Sequence, residues 1–372
     1  MAAAKGSNAS AVKQHNRSLI LSLIAGSEAL SRAELSRATG LSKGGITPII
    51  NELLNLALVL ESRPASNRSG RNPILLRITP ADTPSSIVRT AIELLRPLID
   101  ASQSKVIGIG VVTPGPIDRT TGCVRNPPNF HGWQNIPVEE LFHSAFGIPA
   151  FLENNANAYG VAEKNYGRGR DYNTFISINV DEGIGSAIVL NKQLYLGTRG
   201  LGNEFGHVSV DMNGVPCHCG STGCVEMYAS LPRLLAQLKT SLDLGAESSF
   251  YSARTNGRPL EWTDVLKGLA AADSLSLRLL QKEAEYLGCA LVAAINLIEP
   301  EAVILGSQIA DAGAHIVDPL EAYVRQKAFS RELQVPDILT SDMADASLSG
   351  GAAMIFEHFI NGDLGTYETV LA

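Results

Sequence analysis

The first part of the chain alternates short amphipathic segments with polar residues. Three consecutive segments carry apolar residues at helical spacing, residues 14–25, 31–39 and 43–56. Ser31 and Glu34 have the spacing of a capping box, and Gly40 is suited to end the helix that they begin. Ser42 can cap the next helix. The pattern therefore predicts three short helices, with a tight turn between the second and the third.

Two apolar runs follow the third helix and flank a loop rich in Pro, Ser, Asn and Gly, which predicts a β-hairpin. Helices and hairpin in this order are typical of a winged helix-turn-helix domain, here over residues 12–80. The start of the last helix would enter the major groove of DNA, and the wing would contact phosphates or the minor groove. The predicted DNA-binding residues are Ser42, Lys43, Gly44, Gly45 and Thr47 on the helix, and Arg63, Arg68 and Arg71 on the wing. A three-helix module that does not bind DNA is the alternative.

Beyond the hairpin, apolar runs of strand length alternate with helical periodicity. Helices are predicted at residues 85–102, 284–297 and 350–360, and in an insert around residues 230–285. Strands are predicted at residues 106–112, 150–153, 174–180, 185–190, 194–196 and 302–305. This mixture predicts an α/β body over residues 81–372.

Composition sets the broad class of the protein. Of the 372 residues, 45% are hydrophobic and 18% are charged, as in a globular protein with a sizeable core. We find no apolar run of about 18 residues, so no membrane span is predicted. Residues 1–11 lack the apolar region of a signal peptide and are expected to form a disordered tail. Together with cysteines in a metal-binding pattern, this favours the cytoplasm.

Charge is distributed unevenly along the chain. Residues 1–80 carry ten Lys and Arg against four acidic residues, although the net charge of the whole chain is −7. A small basic module on a larger acidic body fits a DNA-binding domain attached to an effector-binding domain. An ordinary solvated basic face would give the same charge.

Residues 204–226 contain the strongest candidate chemistry. Cys217, Cys219 and Cys224 lie within eight residues, between glycines that allow tight turns, and His207 lies ten residues before the first of them. Three thiolates and one imidazole form a complete tetrahedral ligand set for Zn²⁺, which leaves no position open for a catalytic water. The sequence therefore predicts a structural zinc site. The alternative is that these are ordinary buried cysteines near an unrelated histidine.

Several motifs together give the chain a family resemblance. It resembles the ROK family of repressors, open reading frames and sugar kinases, and the helix-turn-helix resembles its repressor branch. The matching pieces are T-P-G-P-I-D at 113–118, P-N-F-H-G-W at 128–133, E-N-N-A-N-A at 153–158, E-F-G-H at 204–207 and C-H-C-G-S-T-G-C-V-E at 217–226. The resemblance implies an actin-like (ribonuclease H-like) body of two lobes, with a sugar between them and zinc on the four residues named above.

By motif position, the resemblance also implies a set of sugar-binding residues. They are Asn129, Asn154, Asn155, Glu204, His207 and Glu226. Amides and carboxylates can bind vicinal hydroxyls as donors and acceptors, which suits this role. For Asn129 and Asn154, ordinary turn chemistry is the alternative.

Departures from the kinase branch bear on activity. That branch has an Asp, the general base, where this chain has Asn155, and an amide is not a useful base at neutral pH. The acidic-glycine phosphate loop at the start of the body is not found, and the first lobe is therefore expected to be shortened. The second phosphate loop contains Asp181 and Glu182, which would repel phosphates. ATP binding and catalysis are therefore not expected.

The function predicted from the sequence is that of a DNA-binding transcriptional regulator, with repression of carbohydrate genes favoured. A sugar or sugar derivative would control it, and it would bind operator DNA as a homo-oligomer. The main alternative is an ATP-dependent sugar kinase with an added DNA-binding domain. A scaffold whose helical domain contacts protein is a third possibility.

Overall fold

The computed structural model describes residues 16–17, 19–20, 23–24, 30–55, 59–62, 75–78, 84–127, 133–252 and 259–361. The expected tail and the three wing arginines lie outside these residues, as does Asn129. Contacts between Cα atoms divide the chain into two compact units, Met1–Asp100 and Ala101–Ala372. None of the described helices combines the length and hydrophobicity that crossing a bilayer requires.

The first unit combines helices with a small antiparallel sheet. Its elements are β1 (Leu30–Ser31), α1 (Arg32–Thr39), α2 (Lys43–Asn55), β2 (Val59–Ser62), β3 (Leu75–Ile78) and α3 (Pro84–Asp100). The strand order is β1-β3-β2, and β3 is antiparallel to both neighbours. The strands of the predicted hairpin are therefore present.

Local sequence signals explain the two helices α1 and α2. The Ser31 hydroxyl accepts a hydrogen bond from the Glu34 N–H, and the Glu34 carboxylate accepts one from the Ser31 N–H at 2.7 Å, which confirms the capping box. Gly40 ends α1 with a left-handed φ of 70°. Along α2, Ile46, Ile50 and other apolar residues of the predicted stripe are buried against the rest of the unit.

The second unit is a larger α/β assembly. Its strands are β4 (Ile109–Thr113), β5 (Ile117–Asp118), β6 (Cys123–Val124), β7 (Ile136–Pro137), β8 (Ala150–Asn154), β9 (Phe175–Val180), β10 (Ile184–Leu190), β11 (Gln193–Tyr195), β12 (Ala302–Gly306) and β13 (Asp337–Thr340). Its helices are α4 (Val138–Phe146), α5 (Asn155–Asn165), α6 (Glu226–Ala229), α7 (Leu231–Asp243), α8 (Ser249–Ser252), α9 (Trp262–Ala270), α10 (Ser274–Ile298), α11 (Ala314–Lys327) and α12 (Ala346–Ile360).

The main sheet of this unit has five strands in the order β11-β10-β9-β12-β13. The hairpin β9–β10 is antiparallel, whereas β12 lies parallel to β9 and to β13. Every residue of β12 is buried, because helices cover a central parallel strand on both faces. The core beneath this sheet includes α7, α9, α10 and α11, so the predicted helix-rich insert is part of the main core.

A second sheet consists of β4 and β8 alone, which run parallel. The predicted strand at residues 106–112 begins only at Ile109. Short strands β5, β6 and β7 form a small separate sheet beside it. Among the described residues of the second unit, the β4–β8 sheet has no third strand.

Helix α5 follows β8 of the small sheet and precedes β9 of the large sheet along the chain. It packs tightly on the large sheet. A Cβ added to Gly160 would lie 2.3 Å from the Ala187 Cβ of β10, and one added to Gly350 of α12 would lie 1.8 Å from the Ala158 carbonyl oxygen. These contacts require glycine, because a side chain would collide with backbone or a fixed neighbour. They fix the helix whose first turn carries the E-N-N-A-N-A motif.

Candidate metal centre and ligand cleft

The four predicted zinc ligands lie together in the second unit. Their ligand atoms are all within 4.8 Å of one another. The Cys219 and Cys224 Sγ atoms are 3.6 Å apart, and the Cys217 Sγ is 3.7 Å from the His207 Nδ1. A tetrahedral ion with Zn–S bonds of about 2.3 Å places its ligands about 3.8 Å apart. The donor set and its spacing therefore fit one tetrahedral Zn²⁺.

Tight turns create this arrangement from a short stretch of chain. Gly220 and Gly223 adopt φ values of 92° and 72°, which side-chain-bearing residues rarely adopt. The Cys217 N–H donates to the Ser221 carbonyl at 2.8 Å, closing the loop between the cysteines. The turns that the glycines predict are thus the ones that bring the thiols together.

Crowding of the thiols has an electrostatic consequence. Burial, followed by the neighbouring sulfurs of Cys217 and Cys219, raises the pKa of Cys224 to about 12. Three thiolates at this spacing repel one another unless a cation lies between them. A divalent metal ion would supply that charge and would deprotonate all three.

Two predicted sugar-binding carboxylates lie beside the metal ligands. The His207 Nε2 is 4.0 Å from the Glu204 Oε2, whereas its Nδ1 faces Cys217. Glu226 begins α6, and its Oε2 accepts a hydrogen bond from the Ile184 N–H at 2.9 Å. Burial, with a smaller effect from Glu226, raises the pKa of Glu204, although His207 opposes this. The structure therefore brings Glu204, His207 and Glu226 into one site.

The two asparagines of the E-N-N-A-N-A motif lie where β8 ends and α5 begins. The Asn154 Oδ1 accepts a hydrogen bond from the Ala156 N–H at 2.8 Å, so this side chain caps the helix, as the turn-chemistry alternative predicts. Its Nδ2 faces Gly115, where an added Cβ would lie 2.4 Å away. Asn155 is the first residue of α5 and is exposed, so its amide is available to a ligand.

Sequence reasoning missed a chain of polar side chains that leads from these asparagines to Glu204. The buried Glu153 carboxylate accepts hydrogen bonds from Arg119, from the Asn154 N–H and from the Asn157 Nδ2. The Asn157 Oδ1 accepts in turn from the Asn203 Nδ2 at 3.1 Å. Glu153 and Asn157 both belong to the E-N-N-A-N-A motif. Their spacing at the start of a helix was the feature of the sequence from which this contact could have been predicted.

The loop between β9 and β10 carries the acidic residues that depart from the kinase pattern. Gln308 donates a hydrogen bond to the Asp181 carboxylate, and burial raises the pKa of that carboxyl. Asp181 also lines a cavity of about 400 Å³ at the carboxyl ends of β12 and β13, together with Asp311 and Asp345. No Lys, Arg or His is among the described residues that line it. Such a cavity is poorly suited to a polyphosphate.

In the first unit, Ser42, Lys43, Gly44, Gly45 and Thr47, the predicted DNA-binding residues of the helix, lie at the start of α2. Ser42 precedes the helix and its hydroxyl accepts a hydrogen bond from the Gly45 N–H at 3.1 Å. Gly44, Gly45 and Thr47 are exposed, whereas Ile46 is buried. Lys43 is the first residue of the helix.

Comparisons with known proteins agree with the motifs. A sequence model of the ROK family matches residues 69–358. The xylose repressor of Bacillus subtilis (strain 168) is 26% identical over 389 residues, covering 94% of this chain and 97% of that protein. The glucokinase of Thermotoga maritima is 30% identical over 272 residues, covering 73% of this chain and 85% of that protein.

A solved structure shows the same fold over nearly the whole length. It is a ROK family transcriptional regulator described as a homolog of the Escherichia coli MLC protein, with a TM-score of 0.71 and 24% identity, covering 97% of this chain and 99% of that one. The family match spans most of the chain and includes the four candidate metal ligands and both sheets of the second unit. The chain belongs to the ROK family.

Proposed function

We propose that this protein is a DNA-binding transcriptional repressor of carbohydrate genes that responds to a sugar or sugar derivative. One observation carries the proposal. The similarity to a xylose repressor runs over 94% of the chain, whereas the similarity to a glucokinase covers 73%. A repressor therefore accounts for a part of the chain that a sugar kinase leaves unexplained.

The first unit supports the DNA-binding part of the proposal. Helices α1 and α2 with the strands β2 and β3 have the order of a winged helix-turn-helix domain. The exposed start of α2 would enter the major groove with Ser42, Lys43, Gly44, Gly45 and Thr47. Arg63, Arg68 and Arg71 of the wing would contact phosphates. A homo-oligomer in the cytoplasm would present two such domains to a two-fold operator.

The cleft supports the sugar-responsive part. Glu204 and Glu226 offer acceptors on one side, His207 would offer its Nε2–H as a donor when its Nδ1 binds the metal, and Asn154, Asn155 and Asn129 would complete the site. A sugar would act on DNA affinity only to the extent that it binds one conformation of the protein more tightly than the other. Zn²⁺ on His207, Cys217, Cys219 and Cys224 would hold the two carboxylate-bearing segments in place.

The acidic cavity and Asn155 argue against phosphoryl transfer. A general base contributes about 10²–10⁴-fold to such reactions, and Asn155 cannot act as one. The kinase alternative makes a clear prediction, namely sugar-dependent ATP hydrolysis by the purified protein. Turnover above that of an Asn155→Ala variant would establish the kinase and remove the proposal that the cleft only binds.

The DNA-binding proposal is tested by mobility shift with fragments from the neighbourhood of the protein's own gene. We expect specific binding of at least one fragment at low salt. The double substitution Arg68→Ala/Arg71→Ala should reduce the slope of log K against log salt by about 2, because two phosphate contacts are lost. Arg278→Ala, which removes an exposed arginine of the second unit, is the matched control and should leave the slope unchanged.

Two outcomes would count against this assignment. Failure to bind any fragment at low salt would contradict the repressor. Binding with an unchanged slope in the double variant would show that the wing does not contact phosphate. A scaffold that contacts protein through α2 would give the first result.

A further inference from the structure

A chain of hydrogen bonds runs from Glu153 through Asn157 to Asn203 and joins the two sides of the cleft. It is buried at Glu153 and Asn157, and each bond has a defined donor and acceptor. The Glu153 side chain is only 2% exposed, and its charge is balanced by Arg119. The Asn157 amide nitrogen donates to Glu153 at 3.1 Å, while its oxygen accepts from Asn203. The Asn157 amide is thus used as donor on one side and acceptor on the other, which fixes its orientation, whereas the Asn203 amide takes part only as a donor.

Both ends of this chain touch segments that carry predicted ligand-binding residues. Glu153 accepts from the Asn154 N–H at 2.6 Å, directly before Asn155. Asn203 precedes Glu204, and its Nδ2 also donates to the Tyr195 carbonyl at 2.5 Å. The Ser186 hydroxyl donates to the Asn203 carbonyl at 2.6 Å. The chain therefore joins β8 of the small sheet to the loop that follows β11 of the large sheet.

The backbone at Asn203 makes this anchoring necessary. Asn203 has a φ of 69°, a left-handed conformation that asparagine tolerates better than most residues. It starts the turn in which the Phe205 N–H donates to the Asn203 carbonyl at 2.9 Å and the His207 N–H to the Glu204 carbonyl at 3.0 Å. The position of Glu204 thus depends on how the Asn203 side chain is held.

We propose that Asn157 is a positioning residue that couples the two sides of the ligand cleft, by fixing Asn203 and the Glu204 turn relative to Glu153 and Asn154. Asn157 is buried, and its amide is engaged by Glu153 and Asn203. A ligand that contacts both sides would find them already held in their relative positions. Binding would therefore cost less conformational entropy of the protein. This inference rests on the proposed function for its ligand, but the coupling itself does not require one.

The first measurement needs no ligand. Asn157→Leu keeps the side-chain volume similar and removes both hydrogen bonds. We expect hydrogen exchange of the Phe205 and His207 amides to become about ten-fold faster or more, because the turn loses its anchor. Asn165→Leu is the matched control, since Asn165 lies on the same helix and donates instead to Glu357 at 2.8 Å. It should leave exchange at these amides unchanged.

The second measurement is calorimetric binding of D-xylose and of D-glucose, the sugars named by the relatives. For whichever binds, Asn157→Leu should raise Kd between about three-fold and a hundred-fold, the range of coupling between contacting residues. Asn203→Gly keeps the left-handed backbone and removes the amide. The double variant should bind no more weakly than whichever single variant binds more weakly, because the bond between Asn157 and Asn203 is already lost in each of them.

The outcomes separate the two claims. If Asn157→Leu behaves like Asn165→Leu in exchange, the coupling is absent and the inference is wrong. If exchange changes but neither sugar binds the unaltered protein, the coupling stands and the proposed response to these sugars is wrong. If the losses of binding free energy caused by Asn157→Leu and Asn203→Gly add up in the double variant, the two amides act independently, which also contradicts the inference.

Discussion

The two sheets of the second unit differ in how they are held. In the five-stranded sheet, β12 is buried along its whole length, whereas in the small sheet only the first residue of β4 and two residues of β8, Leu152 and Glu153, are buried. A pair of strands is marginal by itself, so it must be supported by other elements. The large sheet packs against a hydrophobic core of its own, whereas the small sheet is stabilised by the elements that pack against it.

Two contacts show how the small sheet is supported. A Cβ added to Gly110 of β4 would lie 2.4 Å from the Gly351 carbonyl oxygen, so strand and helix α12 meet backbone to backbone. On β8, the Leu152 N–H donates to the Glu139 Oε1 at 2.7 Å. A side chain of α4 thus satisfies a backbone donor that another strand would satisfy in a wider sheet. Because fewer residues of the small sheet are buried than of the large one, we expect ligand-dependent movement on the small-sheet side.

Removing the metal should have the largest effect and should be confined to the large-sheet side. Chelation of Zn²⁺ is expected to lower the unfolding free energy by about 5 kcal/mol or more, because metal binding adds directly to folding. Exchange at the Ile184 amide, which Glu226 holds, should increase. Exchange within β4 and β8 should not. Chelation that leaves both the stability and Ile184 unchanged would contradict a structural metal at this site.

A matched pair of core truncations should give the next largest effect. Leu305 in β12 and Leu152 in β8 are 0% and 3% exposed. Leu305→Ala should cost about 4 kcal/mol of unfolding free energy, and Leu152→Ala about 2 kcal/mol, because the less enclosed small sheet can relax around the cavity. Urea denaturation measures both. Equal losses would show that the small sheet is as tightly packed as the large one.

A buried and a half-buried carboxyl, those of Glu283 and Glu139, should respond to substitution with opposite signs. Glu283 of α10 is fully buried, and its Oε1 has no hydrogen-bond partner among the described residues. Glu283→Leu should therefore raise the unfolding free energy at pH 7 by about 1–3 kcal/mol, since it removes an unsatisfied polar group. Glu139→Leu should lower it by about 1 kcal/mol, because the Leu152 N–H loses its acceptor. Urea denaturation at pH 7 measures both, and two changes of the same sign would contradict this account.

The shifted pKa values of Glu283 and Glu139 predict that the unfolding free energy depends on pH. Burial raises the pKa of Glu283 well above its usual 4.5, and burial also raises the pKa of Glu139, where the Leu152 N–H opposes it. A raised pKa in the folded state means that stability is full below the unfolded value and is lost as pH rises through the folded value. Stability should therefore fall from about pH 4.5 upwards, and Glu283→Leu should flatten this fall in denaturation curves.

Much of the metal site and of the first unit could be predicted from local sequence. The capping box of Ser31 and Glu34, the glycine that ends α1 and the buried stripe of α2 all follow from short-range periodicity. The spacing of the three cysteines and their glycines likewise predicted a converging ligand set. These features succeed because each depends on residues only a few positions apart.

Other features were decided only by the tertiary structure. The pairing of β9 with β12 joins strands separated by more than a hundred residues, and β13 was not predicted at all. The link from Glu153 through Asn157 to Asn203 depends on where α5 and the loop after β11 come to lie. Hydrophobic periodicity reports which face of an element is buried, but not which distant backbone or amide it meets. For this protein, the sequence alone therefore determined the family, the cluster of one histidine and three cysteines that could hold a metal, and the capped helix α1 of the first unit. The packing of two unequal sheets decided how Glu153, Asn157 and Asn203 are joined.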